Sequence, residues 1–437
     1  MTADGTETDE PNGHGRFSRR RTLSAVGGGA ISLSMGLAGC VQDADDGDDT
    51  DDTGDDTDDA DGTDDDIGTV TMGVLVPESG PSAPLGEAQR AGAELGVAYV
   101  NASDEFEFEI DAIYEDTQTD PPTGREMAQK VVEEDGAEYV VGGLESAVGL
   151  AISEYVSGED AIYNSGAATV ELSGEGCDAN TFVYETNAAQ HVAGLAEFAA
   201  EELGTNWWLH STDEAYGNSA FEEIKRRIDA EDLDVEIVGE TMPDFGTSDF
   251  GPQISQISGS DADVLVIPET GEDLMNFMGQ ADSAGLTDEI EIIGTALFAQ
   301  VSRGALGDVL VGTYSSTLYD HTLDTGDNEA FVDAYLEEFD EPPGNFARVG
   351  YELVRTTARG IQEAGTSDPS TVRSVLEGLE VETVLGDVSY RECDHQAVNP
   401  VWTGEIVPGE EIPEVELLGR IDGEDAIRPC EESDCTL

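Results

Sequence analysis

Residues 137–166, AEYVVGGLESAVGLAISEYVSGEDAIYNSG, carry the pattern that decides the fold. Residues 137–143 form a short apolar run, which is typical of a strand buried in a sheet. Residues 147–158 have the apolar spacing of a helix, and residues 161–166 are again strand-like. Two neighbouring parallel strands need a crossover of this kind between them. The stretch therefore predicts a βαβ unit.

The same alternation continues on both sides of this unit. Upstream, residues 69–77 and 106–116 are strand-like, and residues 86–102 and 122–135 are helical. Downstream, helices and strands alternate again from HVAGLAEFAAEELG to EIIGTA. We predict an α/β protein with two doubly wound lobes, each a parallel sheet covered by helices on both faces. Ligands of such folds bind at the carboxyl ends of the strands and between lobes.

The N-terminal region predicts export and a lipid anchor. Residues 1–39 contain the charged RFSRRRTL and then a short apolar segment, which is the layout of a secretory signal. Arg19 and Arg20 resemble the twin-arginine export signal. The sequence LAGC that ends at Cys40 resembles the lipobox of prokaryotic lipoproteins, whose cysteine carries lipid. We therefore predict lipidation of Cys40 and a location on the extracellular face of the cell membrane.

An acidic segment follows the cysteine. Residues 43–66 contain only Asp, Thr, Gly and Ala, so they have no apolar surface with which to offset the entropy of ordering. Like charges keep such a segment extended. We assign residues 40–67 to the lipidated cysteine and a disordered acidic tether.

The charge of the chain indicates its solvent. It has 97 acidic and 18 basic residues, a net charge of −79, and Lys130 and Lys225 are its two lysines. Such a surface repels itself in dilute buffer, and at about 1 M salt the Debye length falls to roughly 3 Å. The composition therefore indicates an extreme halophile. It argues against nucleic acid as a partner, because no basic patch is present to bind phosphates.

Motifs for catalysis are scarce. The sequence has no P-loop, no GxGxxG after a strand, no HExxH and no GxSxG. Cys393, Asp394 and His395 are adjacent, but neighbouring residues on an extended chain point to opposite faces, so we expect neither a metal site nor a thiol dyad there. We predict no enzymatic activity, no cofactor and no metal.

The loops that follow predicted strands are rich in glycine and hydroxyl groups. Ser146 lies at the start of a helix, where its hydroxyl and the free N–H groups could bind an anion or the serine could be an ordinary cap. Thr169 has the same two interpretations. Tyr216 is either a surface aromatic or part of the cleft wall.

From about residue 70 to 405 the sequence resembles the extracellular solute-binding proteins of ABC importers, of the branched-chain amino-acid type with the type I periplasmic-binding fold. The resemblance rests on GVLVPESGPSAPLGEAQRAGAEL, YEDTQTDPPTGREMAQKVVEEDGAEYVVGGLESAVGLAISEYV, NSGAAT, DEAYGNS and ADVLVIPETGEDLMNFMGQADSAGL. In that family a serine and a backbone–threonine pair hold the carboxylate of the ligand. Those positions match Ser146, and Ala167 with Thr169, while the aromatic residue of the second lobe matches Tyr216.

Two positions depart from the family pattern. The first-loop aromatic of the leucine, isoleucine and valine binders aligns with Leu85, and the acidic residue that pairs with the ligand's ammonium falls near Ala296. Glu269, at a neighbouring strand end, is the candidate to replace it. If Glu269 faces the cleft, the resemblance implies an amino acid, branched-chain or related. If it points away, an amide, a urea-like solute or a short carboxylate fits better.

The resemblance implies an importer's binding protein that closes about a hinge on a small molecule and delivers it to the permease subunits as a monomer. A tethered chemotaxis sensor is the alternative, and a hydrolase is the least favoured. The chain would cross between lobes three times, near residues 190, 316 and 386. The lobes would then comprise residues 68–190 with 317–385, and 191–316 with 386–437.

Four cysteines remain after Cys40, and export favours their oxidation. Three pairings are open. We prefer Cys177 with Cys393, which would tie the first lobe to a hinge segment, and Cys430 with Cys435, which would close a short C-terminal loop.

Overall fold

A computed structural model describes residues 67–437 of the chain. The predicted signal (1–39), the predicted lipidation site Cys40 and the acidic residues up to 66 lie outside the described residues. Among residues 67–437, we find no helix with both the length and the apolar character needed to cross a bilayer.

The first sheet has five parallel strands in the order β2-β1-β3-β4-β5. Alternate residues of its strands enter different cores: Val74 faces one cluster and Leu75 the other, as the pleat of a strand requires. Both faces are therefore covered, as predicted. The strands are β1 (Gly68–Val76), β2 (Phe108–Asp116), β3 (Tyr139–Gly142), β4 (Ile162–Ser165) and β5 (Thr181–Val183).

The second sheet has seven strands in the order β14-β13-β10-β9-β8-β6-β7. Its central strands are parallel, but β13 pairs antiparallel with both β10 and β14. This sheet is thus mixed rather than wholly parallel, and the short connection between β13 and β14 accounts for the antiparallel pairing of those two strands. The strands are β6 (Asn206–His210), β7 (Glu236–Thr241), β8 (Val264–Ile267), β9 (Glu291–Gly294), β10 (Tyr314–Thr317), β13 (Val401–Val407) and β14 (Glu414–Ile421).

A separate hairpin and the helices complete the fold. The hairpin pairs β11 (Glu380–Thr383) with β12 (Gly386–Ser389). The helices are α1 (Ala83–Ala102), α2 (Pro121–Gln129), α3 (Ser146–Val156), α4 (Ala188–Phe198), α5 (Ala215–Ala230), α6 (Gly251–Ser258), α7 (Gly271–Ser283), α8 (Gln300–Leu306), α9 (Asn328–Phe339), α10 (Asn345–Ala364), α11 (Pro369–Leu376) and α12 (Gly423–Ala426).

The chain passes between the two sheets three times, after β5, after β10 and between β12 and β13. The predicted third crossing at residue 386 falls inside the hairpin, and Val384, Leu385 and Val388 pack in the same core as β1. The third passage therefore comes later, between residues 389 and 401. The outer limits that we gave for the two lobes stay a prediction.

Two glycines let α1 and α10 cross in close contact on the first sheet. A Cβ atom at Gly92 would lie 1.8 Å from the carbonyl oxygen of Ala347, and one at Gly350 would lie 1.9 Å from that of Gln89. No side chain fits at such distances. The two helices therefore pack backbone to backbone at these positions.

Two disulfides tie down the C-terminal segment. Cys177 is bonded to Cys435, and Cys393 is bonded to Cys430. The pairing that we preferred from the sequence is therefore wrong. A native disulfide typically stabilises a protein by about 2–4 kcal/mol, more for longer loops.

The course of the chain after α12 explains the observed pairing. Arg428 pairs with Glu223 of α5, in the second lobe. A few residues later, the Ser433 hydroxyl donates a hydrogen bond to the carbonyl of Ser173, beside the first sheet. The C-terminal segment thus spans both lobes, and its last cysteine reaches the loop before β5 instead of folding back on its neighbour.

Candidate ligand-binding site

A narrow cavity of about 60 Å³ lies between the two sheets, at the carboxyl ends of their strands. Roughly 10–15 Å³ of such space holds one water, so the cavity suits a small ligand of several non-hydrogen atoms. Both sheets contribute to its walls. On the side of the first sheet the wall includes Ser82, Leu144, Glu145, Ser146, Gly166 and Ala168. On the side of the second it includes Thr212, Glu214, Tyr216, Glu269, Thr295 and Ala296.

Ser146 begins α3 and lies in the cavity wall, where it is 3% exposed. The first bond within this helix runs from the N–H of Gly149 to the carbonyl of Glu145, at 2.8 Å. The N–H groups of residues 146–148 come before it and are the donors that a helix N-terminus offers to an anion. This end of the cavity can therefore hold a carboxylate. That Ser146 binds a ligand remains a prediction.

Ala167, Thr169 and Leu85 do not line the cavity. The N–H of Ala167 donates to the Ser165 hydroxyl at 3.1 Å, and the Thr169 hydroxyl accepts the N–H of Glu171 at 3.3 Å. Between them, Ala168 faces the cavity, because successive residues of an extended segment point to opposite sides. Leu85 is buried in α1, and Ser82 of the same loop lies in the wall instead. These three predicted residues thus lie outside the cavity wall that contains Ser146, and their roles in binding stay predictions.

Tyr216 closes the cavity on the second-lobe side through a buried polar chain. Its hydroxyl donates to the Thr295 hydroxyl at 2.7 Å and lies 2.5 Å from Nδ1 of His191. Burial lowers the pKa of His191 to about 3, so the ring is neutral. Because the Tyr216 hydroxyl donates its proton in the hydrogen bond to Thr295, its oxygen can only accept from His191. The neutral ring of His191 therefore carries its proton on Nδ1 and donates to that oxygen. The Tyr216 ring is therefore fixed in the wall rather than exposed at the surface.

Glu269 faces the cavity from the loop after β8 and is 2% exposed. Among the described residues, neither of its carboxylate oxygens has a hydrogen-bond partner. Its closest basic neighbour is His210, whose Nε2 lies 3.6 Å away, but burial lowers the pKa of that ring to about 3. Burial raises the pKa of Glu269 well above its ordinary value, and Asp273 and Glu214 add to the rise. An ammonium group would relieve this penalty.

Two other glutamates of the wall have partners. Glu185 accepts a hydrogen bond from Nη2 of Arg348 at 3.2 Å and from the N–H of Thr186 at 2.7 Å. Glu214 caps α5, where it accepts the N–H groups of Tyr216 and Gly217 at 2.9 and 2.7 Å. Both carboxylates therefore have partners within the protein, although burial still raises the pKa of each.

The family model described as periplasmic binding protein matches residues 69–411. The chain belongs to the periplasmic binding protein family. A relative of this periplasmic binding protein, the Leu/Ile/Val-binding protein homolog 4 of Brucella melitensis, is 26% identical over 345 residues, which cover 75% of this chain and 82% of the relative.

Solved structures share the fold of this periplasmic binding protein. The amino acid ABC transporter substrate-binding protein of Pseudomonas fluorescens Pf-5 superposes with a TM-score of 0.77 at 20% identity, covering 84% of this chain and 99% of that one. A solute-binding protein of an ABC transporter from Rhodopseudomonas palustris BisB5, in complex with 3,4-dihydroxybenzoic acid, gives 0.75 at 21% identity, covering 81% and 98%. The predicted type I periplasmic-binding fold is thereby confirmed.

Sequence reasoning missed several wall residues of this periplasmic binding protein. Glu145 is one of them, although it directly precedes Ser146. A glutamate next to a serine at the start of a helix is a signal that could have identified it. No sequence pattern identifies Glu185 and His191 as site residues. Both follow β5, where the chain passes between the two sheets, and only the tertiary structure brings them to the cavity. Among the described residues we find no group of three or more His, Cys, Asp or Glu placed to hold a metal ion.

Proposed function

We propose that the protein is the substrate-binding protein of an ABC importer and that it captures a small amino acid between its two lobes. The cavity carries this proposal. The first lobe supplies Ser146 and the N-terminus of α3 for a carboxylate, and the second supplies the unpartnered Glu269 for an ammonium group. Family membership and the likeness of fold to importer-binding proteins support it.

The ligand belongs to the amino-acid class in this proposal. The relative that is a Leu/Ile/Val-binding protein homolog favours a branched-chain or related amino acid. The second candidate is an amide, a urea-like solute or a short carboxylate. It is favoured by the uncharged Ala296 in the wall and by the Rhodopseudomonas neighbour, whose aromatic acid has no amino group.

Binding would act through closure of the lobes. A ligand that touches Ser146 on one side and Glu269 on the other gains both contacts only when the lobes approach, so it raises the population of the closed form. The three passages of chain after β5, β10 and β12 would provide the hinge. The permease subunits of the importer would then recognise the closed form.

We further propose that the protein works on the outer face of a halophile's cell membrane, held there as a monomer by lipid on Cys40 after twin-arginine export. The signal pattern, the lipobox and the acidic tether support this location, and the net charge of −79 supports the saline environment.

A thermal-shift screen in molar salt tests the ligand class, with amino acids, amides and short carboxylates as probes. We expect an amino acid to raise the melting temperature. We expect Glu269→Gln to weaken the tightest amino acid about ten- to a hundredfold, since a hydrogen bond to a charged group contributes about 1.5–3 kcal/mol. Glu272→Gln, which changes an exposed residue two positions into α7, is the matched control. Unchanged affinity in Glu269→Gln would remove that residue from the site, and no shift with any solute would refute the importer role.

The anchor is tested on cell fractions. Cys40→Ser is expected to leave the precursor unprocessed or to release the domain into the medium, because the lipid would have no sulfur to attach to. Mass spectrometry of the wild-type protein from membranes should find a mature N-terminus at a lipidated Cys40. An unmodified, uncleaved Cys40 in that fraction would contradict the proposal.

A further inference from the structure

Four glutamates line the cavity, and none of the described residues in its wall is a lysine or an arginine. Two of the four have partners within the protein: Glu185 pairs with Arg348, and Glu214 accepts two N–H groups at the N-terminus of α5. The other two, Glu145 from the first lobe and Glu269 from the second, have no cation or hydrogen-bond partner of ordinary geometry among the described residues, and we call them unbalanced. An amino acid with a single ammonium group can satisfy only one of them.

The surroundings of Glu145 supply no cation. Both of its carboxylate oxygens are buried, and within residues 67–437 neither has a hydrogen-bond partner of ordinary geometry. Burial raises the pKa of Glu145 to about 7; the nearby Ser82 hydroxyl and the backbone lower it in part, and Glu214 adds to the rise. In the absence of ligand, this carboxyl must either keep a proton or lie buried without a cation.

The groups around Glu269 likewise supply no cation. The titratable groups that face it are His210 of β6, Asp273 of α7 and Glu214 before α5. His210 is neutral because its pKa is about 3, and the other two are acidic. Glu145 precedes α3 in the wall on the side of the first sheet, and Glu269 follows β8 in the wall on the side of the second. The two unbalanced carboxyls therefore belong to opposite walls of the cavity.

We propose that the ligand is a basic amino acid, a small α-amino acid with a second amine in its side chain. Its carboxylate binds Ser146 and the N-terminus of α3, its α-ammonium group binds the adjacent Glu145, and its side-chain ammonium group binds Glu269. This assignment rests on the proposed function and narrows its ligand. The two ammonium groups of the ligand pair with the two unbalanced carboxyls, one each. Because Glu145 and Glu269 belong to different lobes, such a ligand favours closure of the lobes.

The alternative within the amino-acid class is a neutral ligand such as leucine. Leucine would leave one buried glutamate without a cation, and that glutamate would have to remain protonated for the lobes to close. Burying an unpaired carboxylate is far more costly than burying a paired one. The basic and the neutral amino acid differ by one positive charge. Ligands of equal chain length, with and without the second amine, therefore distinguish the two possibilities.

Isothermal titration calorimetry in molar KCl at pH 8 provides the test, with lysine, ornithine and norleucine as probes. Norleucine has the chain length of lysine without the second amine. We expect lysine or ornithine to bind at least tenfold more tightly than norleucine. Glu145→Gln and Glu269→Gln should each weaken the basic amino acid about ten- to a hundredfold. Norleucine should respond to Glu145→Gln alone.

A pH series separates a role in binding from a role in folding. The basic amino acid binds the ionised form of Glu145, so its affinity for the wild-type protein should rise from pH 6 to pH 8. In Glu145→Gln that part of the rise should be absent, whereas Glu154→Gln, an exposed change on α3, should keep it.

Three results would overturn the assignment. Norleucine or leucine could bind as tightly as the best basic amino acid, or Glu145→Gln could leave the basic amino acid's affinity and its pH dependence unchanged. In both cases a small solute still binds, so the importer role would stand and only the ligand would be wrong. If no amino acid, amide or carboxylate binds at all, the importer role fails together with the assignment.

Discussion

Arg348→Met is expected to lower the free energy of unfolding by about 3–5 kcal/mol. Arg348 is 0% exposed, donates to Glu185 at 3.2 Å and to Asn345 at 2.7 Å, and lies over the Tyr184 ring at 5.4 Å. Methionine fills much of the same volume but leaves Glu185 as a buried carboxylate without its cation. Removal of one partner of a buried ion pair has a large effect for that reason. Chemical denaturation in molar salt measures the change.

Two matched variants show whether the unpaired charge is the cause. In the double variant Arg348→Met with Glu185→Gln, neither position of this pair carries a charge, so much of the lost stability should return. Arg359→Met removes a partly exposed arginine of the same helix, whose ion pair with Glu105 lies at the surface. That change should alter stability by only about 0–1 kcal/mol. A double variant no more stable than Arg348→Met would contradict the electrostatic explanation.

In dilute buffer the domain is expected to be largely unfolded, and in molar KCl it is expected to be folded. The chain has a net charge of −79, and the part of it carried by the domain repels itself over distances near the Debye length, which is about 10 Å at 0.1 M salt and 3 Å at 1 M. The folded state brings these charges together and so suffers more than the unfolded chain. The whole stability of a domain is only about 5–15 kcal/mol, so the repulsion can remove most of it. Circular dichroism melts over a KCl series measure the effect.

Sucrose is the control for this prediction. It favours compact states through its exclusion from the protein surface but does not screen charge. If screening is the cause, concentrated sucrose should restore much less stability at low salt than KCl does. A melting temperature that is the same in 0.1 M and 3 M KCl would show that the acidic surface does not control folding.

The fold could be predicted from the sequence because its signals are local. The run Tyr139–Gly142, the helix Ser146–Val156 and the strand Ile162–Ser165 occupy nearly the positions that the apolar pattern gave. The third passage comes a few residues after the predicted crossing near 386, because nothing in the sequence of the hairpin Glu380–Ser389 shows that its apolar residues join the core of the first lobe.

The site was only partly predictable. Ser146, Tyr216, Glu269 and Ala296 do line one cavity, since each follows a strand end and strand ends of parallel sheets share an edge. Thr169 does not, because a shift of one residue along an extended loop turns a side chain to the other side. Ala167, predicted to bind through its backbone, donates its N–H to the Ser165 hydroxyl instead. The resemblance to the family indicated the loop that borders the cavity, but it did not indicate which residue of that loop faces the cavity.

The sequence by itself determined the alternation of strands and helices, the two lobes and the acidic surface, because periodicity and composition act over a few residues or over the whole chain. Only the tertiary structure decided the partners of distant residues: Cys177 with Cys435, Glu185 with Arg348, and Glu145 facing the same cavity as Glu269. These pairings depend on where the hinge passages and the C-terminal segment bring the chain. Such positions follow from the packing of all the elements together, and no local pattern encodes them.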